Sequence, residues 1–109
     1  MEIIGIPFGV TDWSGIAATI HPGDSGTAYW RSQTFGDVRV RMVRYSAGYV
    51  ADHWCNRGHI LLVLEGTLTT ELDDGSSVVI TAGSSYQVAN NTQPHRSHTV
   101  DGALLFVVD

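Results

Sequence analysis

Three side chains that bind transition metals well fall within seven residues of one another. They are His53, the single cysteine Cys55, and His59, in the run Asp52-His53-Trp54-Cys55-Asn56-Arg57-Gly58-His59. A fourth candidate ligand, His95, lies far downstream in Pro94-His95-Arg96. Thiolate and imidazole are borderline-to-soft donors that suit zinc, iron, copper or nickel, and suit magnesium or calcium poorly. The expected cofactor is therefore a divalent transition metal.

The spacing bears on whether these donors can meet. In a β-strand, residues two apart point to the same side with Cα atoms roughly 6.6 Å apart. His53 and Cys55 can then reach one ion, while Asp52 and Trp54 face the other way; Asp52 then makes a turn or pairs with an arginine, although a carboxylate behind a ligand histidine is also a common arrangement. His59 would lie roughly 20 Å from His53 if the strand simply continued. The chain must fold back at Asn56-Arg57-Gly58, residue types that permit a reversal. Taken singly, each candidate has a plainer reading. A lone cysteine often just packs, and histidines near turns commonly sit at the surface. Matching parity and a reversal turn favour metal binding when all four are taken together. His21, in a Gly/Pro-rich segment, reads as a surface group, and His98, of opposite strand parity to His95, as pointing outward.

The elements that must position these residues are strands. Period-two patterning runs through Thr27 to Phe35, Val38 to Met42, Ile60 to Leu64, Thr67 to Leu72, Val78 to Thr81, Tyr86 to Val88 and Ala103 to Val108. Turn signals separate them: Ala47-Gly48, Asn56-Arg57-Gly58, Glu65-Gly66, Asp73-Asp74-Gly75, Ala82-Gly83, Asn90-Asn91 and Asp101-Gly102. Short strands punctuated by glycine turns describe an all-β sandwich or barrel. Asp12-Trp13-Ser14-Gly15-Ile16, with Asp12 as cap, is the one weak helical candidate. A chain of 109 residues makes one domain with one core. We place the barrel core at about 27–108 and an irregular N-terminal wrap or edge strand at about 1–26.

Composition narrows the function. The net charge is −5, with six arginines and no lysine, which argues against a nucleic-acid or anionic-membrane partner. Arg39, Arg41 and Arg44 sit in a strand pattern and read as a solvated or salt-bridged face. One cysteine excludes an internal disulfide and fits a reducing compartment. The acidic, glycine-interrupted start is unlike a secretory signal, and nothing approaches the roughly 18 apolar residues of a membrane span. The expectation is a cytoplasmic protein.

The metal-ligand run resembles the first motif of the small single-domain cupins. That motif reads Gly, five residues, His-x-His, three or four residues, Glu, six residues, Gly. Here Gly48 is followed by four residues, His53-x-Cys55, three residues, His59, six residues and Gly66. Cys55 stands where the second histidine would be and His59 where the glutamate would be. Val63-Leu64-Glu65-Gly66 also resembles the end of that motif. The second motif fits less well: from Gly83 its Pro and Gly are missing and His95 arrives one residue late. The Asp-His-Trp-Cys wording is similar to a bacterial cupin subgroup named for an Asp-His-Cys-Trp set. The resemblance covers about 36–108 and implies a double-stranded β-helix, the cupin jelly-roll barrel.

Cupins frequently form dimers, so the resemblance implies a homodimer, with the N-terminal segment as a candidate contact. It also implies a site for a small-molecule ligand. One expectation is a dioxygenase- or isomerase-like metalloenzyme in which His53, His59 and His95 leave metal positions open, with Cys55 as fourth ligand or redox-sensitive neighbour. The alternative is a binding or sensing domain with a closed His₃Cys site. A third is a metal-free barrel holding its ligand by an apolar lining. Val38, Val40 and Met42 form the apolar parity expected to face inward. Arg44 continues it and is the candidate to hold an anionic substrate at the barrel mouth. Tyr45 and Tyr86, with Tyr29 and Trp30, are candidate pocket walls or core packing.

Overall fold

The structure, a computed structural model, describes residues 2–109. It is all-β, as the patterning predicts. The strands are β1 (Thr19–Pro22), β2 (Thr27–Phe35), β3 (Val38–Tyr45), β4 (His59–Leu72), β5 (Ser77–Thr81), β6 (Ser85–Val88), β7 (His95–His98) and β8 (Ala103–Val108). All pairings between them are antiparallel, in the order β1-β2-β3-β8-β4, with β5, β6 and β7 also pairing with β4. Before β1 the chain is irregular apart from one 3₁₀ turn, Trp13–Gly15, whose cap is Asp12 accepting from the Ser14 N–H at 3.1 Å. No helix among the described residues is long and apolar enough to cross a membrane.

β4 organises the barrel because it serves both layers. Its first half pairs with β6 and β8, and its second half pairs with β5 and β7. In the first half His59, Leu61 and Val63 face inward; in the second, Leu68, Thr70 and Leu72 do. That change of parity needs an extra residue, and the register shift between Val63 and Glu65 supplies it as a β-bulge. Gly66 beyond it takes φ +80° and packs so closely on the Gly102 carbonyl that a Cβ would overlap it. The sequence reading split this strand at Glu65-Gly66. The apolar run and the Thr67 to Leu72 alternation belong to one strand because a bulge, not a turn, joins them.

The interior is laid out in rows. Val43, Leu105 and Val63 pair across β3, β8 and β4 and are fully buried, and with Leu68 and Ile80 they make the apolar floor. One row nearer the mouth stand Arg41, Val107, Leu61 and Tyr86. The next row holds Arg39 and Asp109, whose backbones exchange hydrogen bonds, and His59 at the start of β4.

This layout corrects the sequence reading of β3. Val38, Val40 and Met42 lie on the outer parity, and Arg39, Arg41, Val43 and Tyr45 on the inner one. Arg44 therefore points outward, 3.5 Å from the exposed Glu65, and does not enter the barrel mouth. The inversion is physically permitted because β8 delivers Asp109 to the same interior row. A buried guanidinium is tolerable when a carboxylate neutralises it.

Candidate metal centre

Cys55, His59 and His95 offer one donor atom each, and these lie within 4.8 Å of one another. Three different segments deliver them. His59 opens β4 and His95 opens β7, one in each layer. Cys55 sits in the connection before β4 and is tied to His95 by a two-way backbone bridge, with N–H···O distances of 2.7 and 3.1 Å. At Asn56-Arg57-Gly58, where a reversal was expected, the chain makes no hydrogen-bonded turn and instead crosses irregularly from the edge of β7 to the start of β4. Gly58 threads against the Val88–Asn90 backbone, where a Cβ would overlap the Asn90 nitrogen.

His53 is not brought into this cluster. Residues 52 and 53 form a bend and Trp54 belongs to no strand, so the parity that linked His53 with Cys55 does not apply. Its side chain is 75% exposed, at the rim of the same pocket, and its Nδ1 lies 2.6 Å from Asp52 Oδ1. Asp52 thus pairs with its neighbouring histidine, one of the arrangements left open for it, and not with an arginine; that contact holds its carboxyl below the ordinary range. His98 faces away from the cluster, toward Glu71 at 4.0 Å. His21 is half-buried, stacked at 3.7 Å on Trp30 and 2.8 Å from Thr19 Oγ1, where a surface group was expected.

The two imidazole donors are spaced as in a tetrahedral transition-metal site, with the Cys55 sulfur within reach. On Zn–N bonds of about 2.0–2.1 Å, two tetrahedral nitrogens sit about 3.3 Å apart; the Nε2 atoms of His59 and His95 are 3.1 Å apart. His95 donates its Nδ1 hydrogen to the Gln93 carbonyl at 2.9 Å, which leaves Nε2 with a free lone pair aimed at His59. His59 Nδ1 is buried without a hydrogen-bond partner, and its nearest carboxylate is Asp109 Oδ2 at 3.8 Å. A ligand histidine commonly carries a carboxylate at its distal nitrogen. The His95 ring and the Arg57 N–H beside Cys55 hold its thiol below the ordinary value, against burial, toward the thiolate that binds metal. Tyr86 completes the group, its hydroxyl 3.0 Å from His59 Nε2.

These donors stand on the wall of a pocket of about 310 Å³ that reaches down to Val43, Leu61 and Val107. Tyr45 and Tyr86 stand on its wall, together with Trp30 and Tyr49. Burial pushes both Tyr45 and Tyr86 well above the ordinary phenol range, so each is a neutral hydroxyl. The interior arginines were missed. Arg39 grips Asp109 with two hydrogen bonds at 2.8 and 3.0 Å, and Arg41 adds a third at 2.8 Å. Arg41 also lies over the Trp30 ring at 4.3 Å. The available signal was Asp109 itself, which shares strand parity with Ala103, Leu105 and Val107.

No protein-family model matches the sequence, and no curated protein is significantly similar to it. Solved structures match it in fold. A predicted oxalate decarboxylase from Thermotoga maritima superposes with a TM-score of 0.77 at 14% identity, over 92% of this chain and 96% of that one. A cupin-2 domain protein from Shewanella frigidimarina gives 0.60 at 17% identity, over 73% and 78% of the two chains. The EutQ protein of Clostridium difficile gives 0.61 at 17% identity, over 90% and 72%.

Proposed function

We propose that this chain, which has the cupin jelly-roll fold, is a small-molecule metalloenzyme of dioxygenase or isomerase type built on a Cys55-His59-His95 centre. The observation that carries this reading is the meeting of three soft-to-borderline donors on the wall of a pocket that opens at the barrel mouth. Three protein ligands leave a fourth position for substrate or water, the arrangement of catalytic rather than structural sites. Zinc, iron, copper and nickel all suit the donors. When bound, such an ion supplies a Lewis acid and a template for the substrate. The chain's own groups do the rest. The Gln93 carbonyl orients His95, Asp109 stands behind His59, and the Tyr86 hydroxyl offers a neutral hydrogen bond beside the centre. The apolar floor and the aromatic walls exclude water from the inner part of the pocket.

His53 supports a second reading. It lines the pocket rim with Asp52 behind it, and a rotation inward would close a His₃Cys shell around a sensing or storage ion. The two readings separate on His53→Ala, with metal measured by elemental analysis of untagged protein. The open centre predicts unchanged stoichiometry in the variant. Loss of the metal would overturn it in favour of the closed shell. Wild-type protein carrying no transition metal would overturn both.

A homodimer belongs to the same reading. The outer face exposes Ile20, Tyr29, Ile60 and Leu64, and the N-terminal segment exposes Ile4, Val10 and Phe8, the last 99% accessible. Ile20 and Tyr29 are direct neighbours across β1 and β2, and a second copy of the chain is the occupant proposed to cover them. Light scattering behind size exclusion should give twice the 11.8 kDa chain mass; a monomer mass would overturn the assignment.

A further inference from the structure

The chain carries 11 acidic residues against six arginines, yet its pocket has the opposite balance. Four of the six arginines line it, Arg39, Arg41, Arg57 and Arg96, and Asp109 is the one acid among its lining residues. Two of the four are already engaged. Arg39 spends its fork on Asp109, and Arg96 leans on Trp54 at 5.3 Å with Glu71 at 3.5 Å. Arg41 is different. It is 7% exposed, Asp109 is its one hydrogen-bond partner among the described residues, and its Nε has none. Burial and the nearby Arg39 both penalise its charge, so an added anion would relieve it. Arg57, exposed at the rim, has no side-chain partner among the described residues.

We propose that the pocket binds a small organic carboxylate with an apolar body, drawn in by Arg57 at the rim and held inside by Arg41. A guanidinium fork matches a planar carboxylate in a way that a rounder anion does not exploit as fully. The apolar body has a place to go, because Arg41 shares its interior row with Val107 and Leu61, and Val43 lies one row below. This assignment rests on the pocket's charges and holds with or without the metal centre. Asp109 Oδ2 touches Arg41 at 2.8 Å and lies 3.8 Å from His59, so the carboxylate would be held beside the three donors.

The test uses butyrate as probe and butyramide as its neutral match, followed by calorimetry on protein as purified and again in the presence of EDTA, with metal content measured on the same samples. Butyrate should bind at least ~10-fold more tightly than butyramide, the margin of one charged hydrogen-bonding pair. Arg41→Gln should abolish that preference. Arg57→Ala, at an exposed position that folding does not need, should weaken butyrate by ~3-fold or more and flatten its salt dependence. Equal binding of butyrate and butyramide would overturn the proposal, as would an undiminished preference in Arg57→Ala together with Arg41→Gln. Inorganic phosphate binding more tightly than butyrate would overturn the carboxylate class. Protein that carries no transition metal as purified yet prefers butyrate would sink the metal centre alone, and bound metal with no preference for butyrate would sink this site alone.

Discussion

His59→Ala should lower transition-metal affinity by ~100-fold or more, because removing an outer-shell partner of a ligand alone costs 10–100-fold and a ligand contributes more. His59 is the joint of the proposed centre. Its Nε2 lies 3.1 Å from that of His95, and its side chain is nearly inaccessible on the inner wall. Cys55→Ser should act in the same direction with a smaller effect on hard metals than on soft ones, since a hydroxyl replaces a thiolate. Two measurements separate metal loss from damage to the fold. Metal bound only to the folded state stabilises it, by about 2.7 kcal/mol at a free concentration 100 times Kd. EDTA should therefore lower the melting temperature of the wild type and leave that of His59→Ala unmoved. Elemental analysis of the variant gives the direct reading. Unchanged metal content in His59→Ala would sink the centre.

What the sequence made legible followed from local rules. Alternation and glycine turns announced the strands, and the density of donors from His53 to His59, with His95 downstream, marked the region of the site. The strand-parity failures share one cause, which is that hydropathy reveals parity only where a strand's polar side is also its solvent side. β8 alternates Ala103, Leu105 and Val107 inward with Leu104, Phe106 and Val108 outward, so both faces look like core. On β3 the rule pointed the wrong way: the apolar parity, Val38, Val40 and Met42, faces outward while arginines face in. Their partner, Asp109, is some 70 residues away and no local window contains both. Arg44 was placed in the mouth for that reason, and the charge expected there belongs instead to Arg41. His53 failed differently. The strand that would have aligned it with Cys55 is a bend, and only Cys55 is pinned, through its bridge to His95.

Asp109→Ala should destabilise the protein by ~3–5 kcal/mol, the loss seen when one member of a buried ion pair is removed and the other stays. The Asp109 side chain is 0% exposed and accepts from both Arg39 and Arg41. Arg39 can turn toward solvent, whereas Arg41 sits in the interior row between Val107 and the Trp30 ring. Most of the loss is therefore the unpaired charge of Arg41, and Arg41→Met added to Asp109→Ala should recover part of it. The pH dependence carries a sign of its own. Burial pushes the Asp109 carboxyl up, but His59, Arg39 and Arg41 outweigh burial and hold it well below the ordinary carboxylate range. A depressed carboxyl contributes stability that is complete above its unfolded value, near 3.9, and is lost as the pH falls toward its folded one. Wild-type stability should then fall steeply below about pH 4, and the gap between wild type and Asp109→Ala should narrow over the same interval. Urea melts from neutral to acid pH measure both effects. A variant within ~1 kcal/mol of wild type at neutral pH, inside the range of ordinary surface changes, would mean that the arginines are solvated in solution. The charge-inverted interior of β3 would fail with it.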